Sequence, residues 1–528
     1  MTPEQTPELA ERAARQHVVV IGGGIGGLVA ARECAKLGMP VTLLEASAEL
    51  GGSIRRIEVD GLVLDAGAES FATRGGHVRA LLAELGLTER VVRPEGGGAW
   101  LDGIPGVGAA PLPTGGLLGI PENPFQDDVR RILGTGGVWR AYLDRLRPPL
   151  TIGHEKSLGK LVARRMGEKV RDRLVAPVTA GVYSAHPDDV DVEAAAPGLS
   201  AALTTAGSLS GAVAMLRGER AKAGAPGAAV EGLDGGMGML VDALRTDLET
   251  LGVEIRTGVR AESLVRDGAS WAVRIADAAS EASVSSEPSG SPGSFRSPEP
   301  SGVSEPFGSQ FAPESGANGG TNRDLSVGGR GESGTDVNRN GPGGPRGSNE
   351  PGGANELGAN AGTERLETLQ ATGVIVATAE PAARALLDGQ LDLGPAVPAP
   401  EVEIVTLVLD APNLDAAPRG TGVLIVPGSR VAKALTHSTA KWGWLRSAAA
   451  GRHVVRVSFG TQGEPAATAS LDEEAAAELA LAEASGMLGV ALRPTQLRGA
   501  RRERFVQSQP GSAIGAAERR ARMRTAVQ

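Results

Sequence analysis

Short apolar runs rich in β-branched residues alternate along much of the chain with stretches of helical periodicity. The first run, Val-Val-Val-Ile over residues 18–21, is followed by a glycine-rich turn, an apolar helical segment and a second run that ends at Glu45. This alternation is typical of α/β folds. The same pattern predicts a second sheet from later strands and two mainly helical stretches, at residues 402–409, 422–426 and 453–459 and at residues 127–146 and 157–174.

Residues 278–364 interrupt this pattern. Ser, Gly, Pro, Glu and Asn dominate there and apolar residues occur singly, so the segment lacks the apolar surface needed to offset chain entropy. We predict a disordered insertion, with an interdomain linker as the alternative. It is flanked by two predicted strands, residues 271–275 and 373–377, which we expect to be joined ends of one sheet because the cost of closing a loop rises slowly with its length.

Composition excludes several classes of protein. The formal charge of -9 gives no basic footprint for nucleic acid. The single cysteine, Cys34, excludes an intramolecular disulfide, and the six histidines lack metal-ligand spacing. Residues 1–16 lack the apolar centre of a signal peptide, and residues 194–216 are too weakly apolar to insert in a bilayer. We therefore expect a cytoplasmic protein with no integral membrane segment and no bound metal.

The glycine-rich turn is Gly22-Gly-Gly-Ile-Gly-Gly27, which fits the G-x-G-x-x-G pattern between a strand and a helix. In such a turn Gly22 allows the chain to reverse, Gly24 lets the backbone approach a pyrophosphate, and Gly27 lets helix and strand pack closely. The phosphate then lies at the positive end of the helix. We expect Ile25, Gly26, Glu45 and Ala46 to contribute to the same site, with the Glu45 carboxylate accepting the hydroxyls of an adenosine ribose.

A second glycine pair follows six residues after Glu45, in Gly51-Gly52-Ser53, and leads to a hairpin predicted to turn at Asp60-Gly61. Glycines there let the chain pass close to an extended dinucleotide, which favours FAD over NAD; an ordinary glycine turn is the competing interpretation. The arrangement, continued by Asp65-Ala-Gly-Ala-Glu-Ser70, resembles the flavin amine oxidase superfamily.

Within that superfamily the chain resembles the flavin-dependent coproporphyrinogen III and protoporphyrinogen IX oxidases over about residues 17–275 and 365–527. The stretches that carry the resemblance occur in the family's order and are Gly67-Ala-Glu-Ser-Phe-Ala-Thr-Arg74, Leu112 to Pro121, Leu174 to Tyr183, Gly235-Gly-Met-Gly-Met-Leu240, Lys433 to Ser438 and Lys441-Trp442. Two features depart from it: the insertion, and an end at Gln528, where the family continues into a glycine-rich segment that closes over the flavin. The second departure puts activity in question.

The resemblance implies FAD as cofactor, with the flavin N5 atom accepting hydride and no catalytic side chain. It implies that Gly67, Ala68, Glu69 and Ser70 run beside the flavin and that the backbone of Val259 contacts adenine. Trp442 either borders the flavin or is a core aromatic. Propionate groups require cations, preferably arginine, so Arg74 is the first candidate for substrate binding and Lys441 the second; solvated surface charge is the alternative for both.

The predicted fold class is α/β: a Rossmann-type FAD-binding domain interleaved with a mixed-sheet substrate domain and a helical subdomain, plus the disordered insertion. The predicted divisions are an FAD-binding domain at residues 17–75, 231–277 and 365–395, a helical and substrate-binding region at 76–230, the insertion at 278–364, and substrate-domain sheet and helices at 396–528.

The implied function is the six-electron oxidation of coproporphyrinogen III to coproporphyrin III in haem b synthesis, with oxygen as acceptor. The substrate would be a small-molecule tetrapyrrole, and other haem-pathway enzymes are candidate partners. Three alternatives stay open: protoporphyrinogen IX as substrate, an amine or carotenoid substrate on the same fold, and a truncated, non-catalytic flavin-binding protein.

Overall fold

The computed structural model describes residues 5–147, 155–223, 230–278, 367–396, 399–506 and 512–527. These residues belong to one of the two units into which the chain divides, Met1–Ala282 with Glu364–Gln528. The other unit, Ser283–Thr363, lies outside the described residues. The predicted disordered insertion, residues 278–364, also lies outside them apart from its first residue.

The secondary structure alternates as expected in the first part of the chain. The strands are β1 Val18–Ile21, β2 Val41–Glu45, β3 Arg56–Val59, β4 Leu62–Asp65, β5 Phe71–Ala72, β6 Val91–Val92, β7 Ala99–Ile104, β8 Gly108–Pro111, β9 Gly116–Leu117, β10 Ile120–Pro121, β11 Val230–Leu233, β12 Glu254–Thr257, β13 Val259–Asp267, β14 Ser270–Asp277, β15 Glu367–Ala371, β16 Gly373–Val376, β17 Glu401–Leu409, β18 Gly422–Ile425, β19 Ala434–His437, β20 His453–Phe459 and β21 Leu497–Val506.

The helices are α1 Gln5–Ala14, α2 Ile25–Lys36, α3 His77–Glu84, α4 Asp127–Tyr142, α5 Leu158–Met166, α6 Glu168–Val170, α7 Ala176–Tyr183, α8 Val192–Ala195, α9 Leu199–Ala206, α10 Leu209–Ala223, α11 Gly238–Thr250, α12 Glu380–Leu387, α13 Ser438–Lys441, α14 Gly443–Ala449, α15 Glu473–Leu488 and α16 Ala516–Val527. A single turn of wider, π-type helix, Arg171–Val175, joins α6 to α7.

Four parallel strands in the order β12-β2-β1-β16 form the first sheet, called here the parallel sheet. Its two inner strands are almost continuously apolar and buried, as expected for a parallel sheet covered on both faces. Helix α2 connects β1 to β2 and packs against α11. Leu28 and Ala31 of α2 and Leu244 of α11 are fully buried with Val20 in the core on that side. The start of α2 is thereby fixed at the end of β1.

The strands on either side of the insertion do not join as predicted. β14 includes the predicted strand 271–275, but its antiparallel neighbour is β15, with Ile275 opposite Glu367. β16, the predicted strand 373–377, instead pairs in parallel with β1. The expectation that these two predicted strands belong to one sheet is therefore wrong. β15 was not predicted because it is polar and mostly exposed, at the edge of the three-stranded sheet β13-β14-β15.

The second large sheet has seven strands in the order β21-β17-β20-β19-β18-β7-β8 and is called here the mixed sheet, because β18 and β7 are parallel and the other pairs antiparallel. It contains all three predicted late strands. One face packs against α15 through a buried cluster that includes Val405, Val455, Val457 and Leu481. The opposite face is left for the site described below.

A helical layer that includes α4, α5 and α7 to α10 forms a further hydrophobic core, as the sequence predicts for residues 127–146 and 157–174. Residues 194–216 form helices and connecting loops whose apolar side chains, such as Leu199, Leu209 and Val213, are fully buried in this core. Within the described ranges no single helix is long and apolar enough to cross a membrane. The pair Leu199–Ala206 and Leu209–Gly218 meets that test only together, and it is bent by 115°.

Candidate flavin and substrate site

The glycine turn between β1 and α2 has tight backbone packing on one side and open space on the other. Gly22 has φ of +109°, and a Cβ there would lie 2.7 Å from the carbonyl oxygen of Ala377. A Cβ on Gly27 would overlap the carbonyl oxygen of Gly22. A Cβ on Gly24 or Gly26, in contrast, would meet no atom within 4 Å in the described structure. Two glycines thus allow the turn and its packing, while two others border free space at the helix start.

Glu45, at the end of β2, closes one side of this turn. Its Oε2 accepts a hydrogen bond from the Gly23 amide at 2.6 Å, and its Oε1 accepts from the backbone amide and the hydroxyl of Ser47 at 2.8 and 2.6 Å. The Ser47 carbonyl in turn accepts from the Gly258 amide at 2.9 Å, directly before Val259. These bonds place Val259, Glu45 and the glycine turn side by side.

The second glycine pair lies against the first turn. Gly51 donates its amide hydrogen to the Gly23 carbonyl at 2.8 Å, and a Cβ on Gly52 would lie 3.3 Å from the Cα of Gly24. The Ser53 carbonyl then accepts the Ala68 amide at 3.2 Å. A Cβ on Gly67 would overlap the same carbonyl oxygen, so only glycine allows this approach.

Together these contacts form a continuous run of backbone from Val259 through Glu45, the glycine turn and Ser53 to Gly67, called here the cradle. An extended dinucleotide needs this layout, with an acid near its ribose, amides and space at its diphosphate, and close backbone beyond. The open Cβ directions of Gly24 and Gly26 satisfy the test for the diphosphate. The residues present fit FAD.

The far end of the cradle is tied to the mixed sheet by Arg456 of β20. Its guanidinium donates to the carbonyl oxygens of Ala66 and Gly67 at 2.8 and 2.5 Å and to the Glu69 carboxylate at 3.1 Å. Glu69 also accepts from Lys441 at 2.6 Å and from the Ser438 hydroxyl at 3.0 Å. Burial by itself would raise the pKa of the Glu69 carboxyl, but the charges of Lys441 and Arg456 outweigh it and lower the pKa to about 2. Glu69 is therefore ionised at neutral pH.

The carboxyl of Asp65, at the end of β4, has its pKa shifted in the opposite direction to that of Glu69. Burial raises the pKa of its carboxyl to about 6, although it accepts the Met237 amide at 3.0 Å and lies near the positive charge of Arg456. The carboxyl groups of Asp65 and Glu69, on either side of Ala66-Gly67 in the chain, thus have pKa values of about 6 and about 2. Around neutral pH Asp65 is close to its own pKa and Glu69 is not.

The mixed-sheet face that carries Arg456 is lined by small or half-buried side chains. Thr436 lies opposite Arg456, and Ala434 lies opposite Ser458 two pairs further along, on the same face. Gly422 and Leu424 of β18 continue the same rows, and all five of these neighbours are only partly buried. This surface is called here the sheet floor; it begins at Arg456, beside the end of the cradle, and its β18 edge contacts α7, where a Cβ on Gly181 would lie 2.5 Å from Leu424.

The predicted site residues divide into two groups. The cradle brings together Gly22, Gly24, Gly26, Gly27, Glu45, Gly52, Ser53, Gly67, Ala68 and Val259, with Ile25, Ala46, Glu69 and Ser70 beside them in the chain. Arg74 is exposed and forms no ion pair within the described ranges. The Lys441 ammonium contacts Glu69, so this cation already has a carboxylate partner inside the protein.

Trp442 is 2% exposed and packs with Leu62, Leu64 and Val408 in a core cluster between the β3–β4 hairpin and the mixed sheet. Its indole Nε1 is buried and has no hydrogen-bond partner among the described residues. A contact between Trp442 and the flavin stays a prediction, as do the ligand contacts of the other site residues.

Two residues that contact the cradle were not singled out from the sequence. Arg456 lies in His-Val-Val-Arg-Val-Ser-Phe, where one arginine within an apolar strand was the available signal. Asp65 was quoted only as the start of a family-like stretch, and its burial depends on α11, far away in the sequence. A charged residue at a buried position of a predicted strand is therefore a sequence signal for a residue that supports a binding site.

The fold and the cradle define a dinucleotide-binding α/β protein. Residues 25–283 match the sequence profile of the family described as flavin containing amine oxidoreductase. This match confirms the resemblance and the predicted flavin cofactor, FAD.

Curated relatives include coproporphyrinogen III oxidase of Bacillus subtilis (strain 168), 31% identical over 189 residues, which are 35% of this chain and 40% of that protein. Protoporphyrinogen oxidase 2 of Arabidopsis thaliana is 27% identical over 195 residues, 36% and 37% of the two chains. The chain spans about half the length of the curated relatives it matches, or less.

A solved structure from Exiguobacterium sp. 255-15, provisionally named a protoporphyrinogen oxidase, aligns with a TM-score of 0.68 and 21% identity over 97% of this chain and 91% of that one. This similarity confirms the predicted fold class. At that identity it concerns the fold alone.

Proposed function

We propose that this protein is an FAD-dependent oxidase that converts coproporphyrinogen III to coproporphyrin III with oxygen as acceptor. The observation that carries the proposal is the continuity of the cradle with the sheet floor through Arg456. An extended dinucleotide bound along the cradle would end near Arg456, on the face of the mixed sheet where we propose that the substrate binds. The similarity to coproporphyrinogen III oxidases supports the choice of substrate.

FAD, held by the cradle from Val259 through Glu45 and the glycine turn to Gly67, would supply the redox chemistry by taking hydride from the substrate and passing the electrons to oxygen. The chain's own residues bind, orient and exclude water. Arg456 and Glu69 fix the Ala66-Gly67 backbone, and the small side chains of the sheet floor leave room for a tetrapyrrole. Overall, the porphyrinogen would lose three hydrides and three protons, which is six electrons and six hydrogens, and three molecules of oxygen would be reduced to three of hydrogen peroxide. We also propose a cytoplasmic location and a tetrapyrrole handed on to other haem-pathway enzymes.

The assay follows porphyrin fluorescence during incubation with coproporphyrinogen III or protoporphyrinogen IX, with the Gly24→Val variant and an enzyme-free sample as controls. We expect coproporphyrin to form faster than either control and faster than protoporphyrin. Equal rates with enzyme and without it would reject the oxidase. A preference for protoporphyrinogen would reassign the substrate, and fluorescence that develops equally without oxygen would reject oxygen as acceptor.

Arg74 remains the proposed partner of a substrate propionate. Arg74→Ala is expected to raise KM for coproporphyrinogen about ten-fold, since a charge-assisted hydrogen bond contributes roughly 1.5–3 kcal/mol, while flavin reduction at saturation changes little. Arg74→Lys should recover part of the loss. The control is Arg131→Ala, which removes another exposed arginine, on α4. Unchanged KM in Arg74→Ala would remove Arg74 from the site.

A further inference from the structure

A cavity lies at the edge of the mixed sheet, next to the start of β19. Its volume is about 500 Å³, and its walls come from α7, the end of β18, the segment before β19 and the loop after β20, including Ala180, His186, Ile425, Arg430, Gln462 and Glu464. Volumes of this order hold small-molecule ligands. None of the predicted site residues borders it.

Lys433 forms part of the cavity wall although it is only 7% exposed. Its ammonium donates to the Ser184 hydroxyl at 2.6 Å. Within the described part of the chain this ammonium has no carboxylate partner. A buried ammonium is costly when its only partner is neutral, because a hydroxyl dipole replaces little of the lost hydration.

Ser184 is held in position by an unusual backbone conformation. It ends α7 with φ of +51°, in the left-handed region, and is fully buried. Its carbonyl accepts the Gln462 amide at 2.6 Å, and Gln462 lies in the loop after β20 that also lines the cavity. A non-glycine residue in this region stores conformational strain, which the surrounding contacts must maintain. The Ser184 hydroxyl that orients Lys433 is therefore held in a fixed position directly behind the wall residues Ala185 and His186.

The other charged groups of the wall do not neutralise Lys433. Arg430 pairs with Asp102 at 2.6 Å. Glu464 accepts a long hydrogen bond of 3.4 Å from the Thr461 hydroxyl and forms no ion pair with Lys433. His186 accepts the Asp188 amide through Nδ1. Among the described residues, the cavity wall thus offers the buried Lys433 ammonium without a carboxylate partner.

We propose that this cavity binds a carboxylate, which pairs with the Lys433 ammonium while Ser184 holds that ammonium in place. Burial lowers the pKa of Lys433 to about 7, so a bound anion would restore the charged form. The carboxylate belongs either to a free small acid or to a propionate of a tetrapyrrole bound at the proposed substrate site. Only the second source depends on the proposed oxidase function.

The test is trace acetylation of the full-length flavoprotein with isotopically labelled acetic anhydride, read by mass spectrometry. Seven lysines make each site separable, and exposed Lys160 is the internal control. Saturating propionate is expected to slow acetylation of Lys433 about ten-fold, whereas propionamide, which is neutral and of the same shape, should not. Equal labelling of Lys433 with propionate and propionamide would overturn the proposal.

Thermal unfolding gives a second measurement that does not need Lys433 to be reached by the reagent. Propionate should raise the Tm of the wild type relative to propionamide but not that of Lys433→Met, which keeps the stem and removes the charge. Equal Tm shifts in both proteins would overturn the proposal.

Coproporphyrin III and its tetramethyl ester distinguish the two sources. Protection by the acid alone at micromolar concentration assigns a tetrapyrrole propionate. Protection only by small acids assigns a free carboxylate and leaves the oxidase proposal untouched.

Discussion

Gly24 and Gly27 lie in the same turn yet differ in what a side chain would meet. A side chain on Gly27 would overlap protein backbone, whereas one on Gly24 would project into free space from an extended backbone with φ of -69° and ψ of 173°. A substitution at Gly24 therefore tests the cofactor site without disturbing the fold. A substitution at Gly27 would disturb the fold itself, so it does not test the cofactor site alone.

Gly24→Val is expected to leave the Tm of the flavin-free protein nearly unchanged but to abolish FAD binding, because the side chain occupies the space of the diphosphate. The measurement is flavin absorbance per protein after reconstitution with FAD. The control, Gly136→Val, adds the same side chain at another glycine with open space around it, on α4. A yellow Gly24→Val protein with full flavin content would contradict the cradle.

Asp65 predicts a pH dependence of stability. Its pKa rises from 3.8 to about 6 on folding, so the folded state holds the proton more tightly and the stabilisation is complete below pH 4. It is lost as the pH rises towards about 6, at a cost of about 2–3 kcal/mol. Asp65→Asn keeps an oxygen that accepts the Met237 amide and removes the titration.

Urea unfolding at several pH values tests this. The gain in unfolding free energy of Asp65→Asn over the wild type should grow by about 2 kcal/mol between pH 4 and pH 8. The exposed Asp267→Asn serves as control and should show no such trend. If the unfolding free energies of Asp65→Asn and the wild type changed in parallel with pH, burial would not raise the pKa of the Asp65 carboxyl in the folded protein.

At the scale of elements, apolar periodicity was the reliable signal. The hairpin predicted at Asp60-Gly61 is β3 and β4, with φ of +49° and +71° at those two residues. The predicted strand 453–459 coincides with β20. β15 was not predicted because an exposed edge strand has no apolar face and therefore no apolar periodicity. The pairing of the strands was not predicted either, since pairing depends on tertiary packing that a local pattern does not encode.

The pairing of β14 with β15 predicts that the intervening segment is dispensable for the fold. Ile275 and Glu367 are opposite neighbours, so a short Gly-Ser loop replacing residues 279–366 should close a hairpin. We expect flavin content to be unchanged and Tm to differ by less than about 5 °C, since long loops cost little more than short ones. As control, a scrambled sequence of the original length should behave alike. Loss of flavin in the short variant alone would assign the segment a role in the site.

At the scale of the whole molecule, Arg456 links the cradle to the mixed sheet. Arg456→Met removes the donors to Ala66 and Gly67 and leaves Glu69 with Lys441 as its one ionic partner. Breaking such a buried pair costs about 3–5 kcal/mol, and we expect both a lower Tm and at least about ten-fold weaker FAD affinity.

Arg452→Met is the matched control. Arg452 directly precedes β20 and bonds to Asp60 in the hairpin, away from Ala66 and Gly67. It should lower Tm only modestly, with normal FAD affinity by fluorescence titration. Equal FAD affinity in the two variants would show that Arg456 does not hold the flavin end of the cradle.

The pairing of β16 with β1 bears on biosynthesis. The neighbouring contact between His17 and Gln370 joins residues 353 apart, and ribosomes add about 5–20 residues per second. Roughly 20–70 s therefore pass between the translation of β1 and the translation of its partner strand β16. Ala377, which packs against Gly22 in the nucleotide turn, is made equally late. A nascent polypeptide therefore cannot complete this pocket before Ala377 has been translated, so we expect flavin to bind only during synthesis of the last part of the chain or after it.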